Sequence, residues 1–230
     1  MSDNYTISQK ASSLLSGGGR SSGILITPLV PLLTGVLLLV IFGNTTNPQD
    51  LLVSKQGNPA LSENGGLSQL FTPEVLHWQP KIILWAQEFG LDPNLVATVM
   101  QIESCGDPSA LSHSGAMGLF QVMPYHFEAG ENPYLPDTNA VRGLAYLQLA
   151  LDTYDGDYSL SLAAYNGGIS NAAKNQNLWS AEMNRYVYWG ENIYQDASQG
   201  KSHSLYLDEW LGSGGARLCG LARQHLTFAD

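Results

Sequence analysis

Apolar and polar positions follow a helical period over most of the chain beyond residue 73. Ile82, Ile83, Trp85, Ala86 and Phe89 mark one helix, ended by Gly90. Leu95, Val99 and Ile102 recur at i, i+4, i+7, and Val96, Met100 and Glu103 repeat that spacing one residue on. Asp92 suits the N-cap of this second helix and Pro93 its first position, while Gly106 and Pro108 stop it. Val141, Leu144, Ala145 and Leu147 open a third helix that closes near Gly156. Leu160 to Tyr165 form a short one, and Tyr186, Trp189 and Ile193 lie on a late one. Ser213-Gly214-Gly215 precedes a last short helix carrying Cys219. The pattern predicts a mainly α domain with at most a small hairpin between Ser112 and Gln121, and no internal repeat.

Upstream the pattern changes in kind. Ile24 to Phe42 is a run of 19 uncharged positions rich in Leu, Val and Ile, long enough for a single N-terminal transmembrane helix. Pro28 and Pro31 kink its start, which membrane helices tolerate. Lys10 and Arg20 precede it against one acid, Asp3, so the positive-inside rule keeps the N-terminus in the cytoplasm. The rival reading is a cleaved signal peptide. It would need an unusually long charged region, and no small-x-small site follows Phe42 at a good distance. The expected organisation is a Ser/Gly-rich cytoplasmic tail at 1–23, a membrane helix at 24–42, an Asn/Ser/Gly/Pro-rich linker at 43–72 and a helical domain at 73–230. That places the protein in the inner (cytoplasmic) membrane with its folded domain on the periplasmic or extracellular side.

Charge narrows the partners. Removing Lys10, Arg20 and Asp3 leaves 8 basic against 19 acidic residues. No basic stripe exists, so nucleic acid is not an expected partner. Any anionic polymer must be held by stacking and hydrogen bonds, for which the 5 Trp and 11 Tyr are suited. The 5 histidines show no metal spacing, and neither a metal nor a cofactor is expected. The two cysteines, Cys105 and Cys219, are even in number in a domain expected to be exported, which points to a disulfide. Two buried thiols are the alternative. Protein partners are not legible.

Glu103 carries the candidate chemistry. It continues an apolar stripe at the end of its helix, and a glycine-rich turn follows. A carboxyl half-buried there should hold its proton near neutral pH and could protonate the leaving oxygen of a glycosidic bond. A structural glutamate that bends out or caps a turn is the plainer reading. The surrounding motifs bear on that choice. Glu103-Ser104, Ala110, Ser112, Gly115-Ala116, Gly118-Leu119, Gln121 and Met123-Pro124 form one block. Asp137, Asn139, Gly143 and Tyr146-Leu147 form a second, Ala163-Ala164-Tyr165-Asn166-Gly167-Gly168 a third, and Glu182, Tyr186 and Val187 a fourth. Over about residues 80–190 these blocks resemble the lytic transglycosylases of the soluble murein transglycosylase (SLT) type, a family with a goose-lysozyme-like fold. Met183 departs from the small polar residue usual in the last block.

The resemblance implies a lysozyme-like helical domain acting on peptidoglycan glycan strands. It implies cleavage of the MurNAc-GlcNAc β-1,4 bond without water, leaving 1,6-anhydro-MurNAc ends. Glu103 would be acid and then base, and Tyr165 would bond its carboxyl and orient it. Ser112, Gln121, Met123, Asn166 and Tyr186 would bind substrate. Ordinary glycosidases use two carboxylates; here the sugar's own hydroxyl is the nucleophile, and no second acid is obvious beside Glu103. Asp107 sits in a turn, where capping is the expected role. Two other readings stay open: a lysozyme-like hydrolase of the same bond, and a silent wall-binding scaffold.

Overall fold

The computed structural model describes residues 66–226. The tail, the apolar run at 24–42 and most of the stretch read as a linker lie outside them. Among the described residues no helix is long and apolar enough to cross a membrane.

The described chain is mainly helical, in the order α1 (Pro73–Leu76), α2 (Gln79–Phe89), α3 (Pro93–Glu103), α4 (Pro136–Thr153), α5 (Tyr158–Gly167), α6 (Ile169–Ala172), α7 (Ala181–Ser198), α8 (Leu205–Trp210) and α9 (Ala216–His225), with a long loop between α3 and α4. Local chemistry sets the ends. Gly90 closes α2 in the left-handed conformation, at φ 63°. Asp92 caps α3 by accepting from the Asn94 amide at 2.7 Å, with Pro93 in the first turn. Asp157, Ser180 and Ser204 cap α5, α7 and α8 in the same way. α4 begins at Pro136, several residues before its first strongly apolar position, because proline preorganises the first turn.

No strand occurs among the described residues. The expected hairpin is reduced to two isolated bridges, Leu111 with Met117 and Met117 with Val122. Three short helices escape sequence periodicity, α1, α6 and α8, which have four, four and six residues.

One core joins the elements. α5 packs against both α4 and α7, α3 packs on α7, and α2 rests on α3 and α4. Gly190 permits the close approach of α7. A Cβ there would lie 3.1 Å from Leu162 of α5 and 3.6 Å from Ile102 of α3. The fully buried set includes Val96, Val99 and Met100 of α3, Leu144 and Leu147 of α4, Leu162 of α5 and Ile193 of α7. Leu67, Leu70 and Phe71, upstream of α1, are buried in the same core.

The C-terminal helix fastens the segment that follows Glu103. Cys105 and Cys219 form a disulfide, Arg223 pairs with the buried Glu74, and His225 meets the buried Asp107 at 2.8 Å. Asp107 also accepts from the Ser109 amide at 2.9 Å, the turn-capping role expected of it. Cys105 and Asp107 lie within four residues of the end of α3, and Glu74 belongs to α1.

Candidate active site

Glu103 is the last residue of α3. Its neighbours on the stripe are apolar and buried, so the carboxyl is held largely away from water while the residue keeps some solvent contact. Burial pushes its pKa from 4.5 up to about 8; a hydrogen bond from Tyr186 opposes this, and the charge of Glu182 adds to it. Among the described residues no cation pairs with it. The group is therefore protonated at neutral pH and ready to give a proton.

Two tyrosines flank the carboxyl. Tyr186 of α7 is buried, and its hydroxyl acts on Glu103 although it reaches ideal hydrogen-bond geometry with no protein atom. Small rotations of the hydroxyl and the carboxyl bring the two into alignment. Tyr165 of α5 also feels the Glu103 charge. Its hydroxyl, however, donates to the Phe120 carbonyl at 2.8 Å. The bond expected from Tyr165 to Glu103 thus falls to Tyr186, and Tyr165 instead fixes the loop opposite. Burial, then the Glu103 charge, holds both phenols well above their ordinary pKa, so both remain donors.

The loop that Tyr165 grips is pinned from a second side. Asn139 of α4, fully buried, accepts from the Phe120 amide at 2.8 Å and donates to the Met117 and Pro133 carbonyls at 2.7 and 2.9 Å. Ser104 ties the same loop to the end of α3 by donating to the Leu119 carbonyl at 2.6 Å. Gly143 of α4 leaves room for the contact. A Cβ there would sit 2.7 Å from Phe120 Cβ and 3.0 Å from the Tyr165 hydroxyl.

Two open cavities lie on either side of Asn166 and Gly167, which line both. The first, about 310 Å³, is walled by Gln121, Met123, Tyr125, His126, Tyr146 and Tyr165 among others. The second, about 330 Å³, is walled by Leu178, Trp179, Ser180, Glu182 and Met183. Glu103 lines neither directly. Its carboxyl interacts with Tyr165, which belongs to the first cavity, and Glu182, which belongs to the second.

The expected site residues divide accordingly. Gln121, Met123, Asn166 and Tyr165 meet in the first cavity. Gln121 adopts φ 47°, a strained conformation for a residue with a side chain, and its amide donates to Gly118 and Ala110 carbonyls. Ser112 stands outside both cavities and braces a turn, accepting from the Ala116 amide at 2.8 Å and meeting the Ser114 hydroxyl at 3.0 Å. Ser114 lines the first cavity in its place. Cys105 and Cys219 are joined, so their sulfurs are not thiolate ligands. Sequence reasoning missed Glu182 as a neighbour of Glu103, and it missed Tyr125 and His126 as wall residues. Glu182 belongs to the fourth motif block, and the signal for Tyr125 and His126 is their place directly after Met123-Pro124.

Residues 80–186 match the family described as Transglycosylase SLT domain. This segment is an SLT-type transglycosylase domain. It holds every expected site residue except Cys219. The chain is 41% identical over 114 residues to a transglycosylase of Enterobacteria phage PRD1, spanning 49% of this chain and 41% of that protein. It is 31% identical over 123 residues to membrane-bound lytic murein transglycosylase C of Sodalis glossinidius, spanning 44% of this chain and 33% of the relative. The chain thus spans less than half the length of these relatives. The lytic transglycosylase Slt of Pseudomonas aeruginosa superposes with a TM-score of 0.42 at 20% identity, over 60% of this chain and 24% of that one.

Proposed function

We propose that this chain is a peptidoglycan lytic transglycosylase, which cleaves the MurNAc-GlcNAc β-1,4 bond and leaves a 1,6-anhydro-MurNAc end. The observation that carries the proposal is the Glu103 carboxyl, sheltered on an apolar helix, without a cationic partner among the described residues and with its pKa pushed up to about 8. Such a group is an acid at neutral pH and a competent base once it has lost its proton.

The proposed steps balance without water. Glu103 gives its proton to the glycosidic oxygen, and GlcNAc departs with a free 4-hydroxyl. Positive charge develops at C1 of MurNAc, next to the new carboxylate. That carboxylate takes the proton of the C6 hydroxyl, and O6 bonds to C1. Tyr186 steadies the carboxylate stage by hydrogen bonding. Gln121, Met123 and Asn166 would contact sugar, and Ser112 would act on it only through the turn that carries Ser114. The glycan strand would run through both cavities, past Asn166.

One observation favours a second reading. The Glu182 charge reaches Glu103, so a second carboxylate is at hand, as in ordinary glycosidases. A hydrolase would release reducing ends instead. Mass spectrometry of muropeptides released from purified sacculi separates the two, since anhydro ends are lighter by one water. Reducing ends alone would replace the lyase reading with the hydrolase. No release at all, with glycan binding retained, would leave only a wall-binding scaffold.

We assign the protein to the inner membrane, with the run at 24–42 as anchor and the domain facing the wall. The membrane-bound relatives and the uncharged length of that run support this assignment.

A further inference from the structure

The first cavity has an aromatic wall that the cleavage chemistry does not use. Tyr165, Tyr146, His126 and Tyr125 form a continuous ladder, with successive ring centroids 6.0, 4.9 and 4.6 Å apart. It starts at the tyrosine that senses Glu103 and ends at Tyr125, which is 75% exposed. All four rings line the cavity.

A lone exposed aromatic needs no explanation. Tyr125 is different because it is built in. It sits in a single 3-10 turn, Pro124–His126, with proline fixing the first position. The loop beyond it is held by Arg142, which pairs with Glu128 at 2.9 Å and Glu131 at 2.6 Å. Arg142 lines the same cavity, but both acids engage its guanidinium, which leaves it poorly placed to take an anionic group of a ligand. This end of the groove therefore offers flat apolar ring faces rather than charge.

Resting on the glycan-cleaving function proposed above, the geometry points to Tyr125 and His126 as a stacking platform for an uncharged pyranose ring, one or more sugars away from the bond that is cut. The carbon-bound hydrogens of a β-1,4-linked GlcNAc present an apolar face that an aromatic ring can cover. The platform grips the sugar chain itself and ignores stem-peptide carboxylates. It sets the length of glycan the domain prefers.

Titration calorimetry on the purified full chain with chitohexaose and chitobiose tests this. Tyr125→Ala is expected to weaken chitohexaose binding about threefold to tenfold and to leave chitobiose unaffected. Tyr125→Phe is expected to restore the wild-type value, because stacking uses the ring and not the hydroxyl. Equal chitohexaose affinity in wild type and Tyr125→Ala overturns the platform, as does a Phe variant as weak as Ala. Digestion of sacculi in parallel distinguishes the two levels. Wild-type release with an indifferent Tyr125→Ala discards the platform alone, whereas a wild type that neither releases muropeptides nor binds chitohexaose discards the glycan reading and the platform with it.

Discussion

The Tyr165 hydroxyl donates its proton to the Phe120 carbonyl at 2.8 Å, across the face of α4, rather than to the glutamate it lies beside. Its work is to hold the Gly118–Val122 loop against the helices, while Tyr186 attends to Glu103. Tyr165→Phe strands that carbonyl in a protein interior. The expected cost is about 1–3 kcal/mol of stability, read by chemical denaturation, with activity reduced through the displaced Gln121 wall. Tyr186→Phe acts differently. It removes the one influence that lowers the Glu103 pKa, so the alkaline limb of the rate profile should move upward while stability changes less. A rate profile that shifts in Tyr165→Phe and stays still in Tyr186→Phe would reverse these roles.

Gly143→Ala tests the same contact from the other side. The added methyl would meet Phe120 Cβ at 2.7 Å and the Tyr165 hydroxyl at 3.0 Å, and neither group has slack. Overpacking of this kind costs about 1–3 kcal/mol. Because the strain falls on the Tyr165–Phe120 bond, cleavage of sacculi should fall along with the melting temperature. A variant as active and as stable as wild type would show that the loop is not held there.

Much of this site is legible in the sequence. Glu103 continues the Val96–Met100 stripe, and an ionisable group on such a stripe is informative because burying charge is costly. Asp92, Pro93 and Gly90 marked helix ends through local backbone chemistry alone. What stayed hidden was nonlocal. No spacing rule says that the Tyr165 hydroxyl ends on a backbone carbonyl rather than on Glu103, or that Glu182, fourteen residues after Gly168, acts on the same carboxyl. Ser112 shows a related limit. Its motif position was recognisable, but which of Ser112 and Ser114 turns toward the cavity depends on the hydrogen bonds of the turn. Helix α8 went unseen because six residues carry too little periodicity.

The Cys105–Cys219 bond joins residues 114 apart in sequence and lies two positions beyond Glu103. Cross-linking so long a loop constrains the unfolded chain, and its loss should cost roughly 2–5 kcal/mol. Reduction under native conditions should be slow, since Cys105 is fully buried and Cys219 nearly so. The paired substitution Cys105→Ala with Cys219→Ala avoids that kinetic barrier. Urea titration of this variant should show the loss. Its Arg223–Glu74 and His225–Asp107 contacts still hold α9, so the activity that remains at low temperature should be substantial.

Glu103→Gln separates chemistry from stability. Removing a sole acid and base should lower the rate by at least ~3 orders of magnitude, with the circular dichroism spectrum unchanged. The stability effect has the opposite sign. In the unfolded chain the carboxyl titrates at its ordinary 4.5, and in the folded chain at about 8. Below 4.5 both states hold the proton and the residue has no pH-dependent effect. Between 4.5 and 8 the folded state binds more protons than the unfolded one, so wild-type stability falls as pH rises, and above 8 the burden of a buried charge is complete. Glutamine carries no such charge. The variant should therefore melt higher than wild type at pH 9, with the gap closing toward pH 4, and wild-type cleavage should decline as pH climbs through 8 and the acid is lost. Thermal melts and muropeptide release across that range check both halves. A melting difference independent of pH would mean that Glu103 does not titrate as a sheltered acid, and wild-type activity in the glutamine variant would remove it from the reaction.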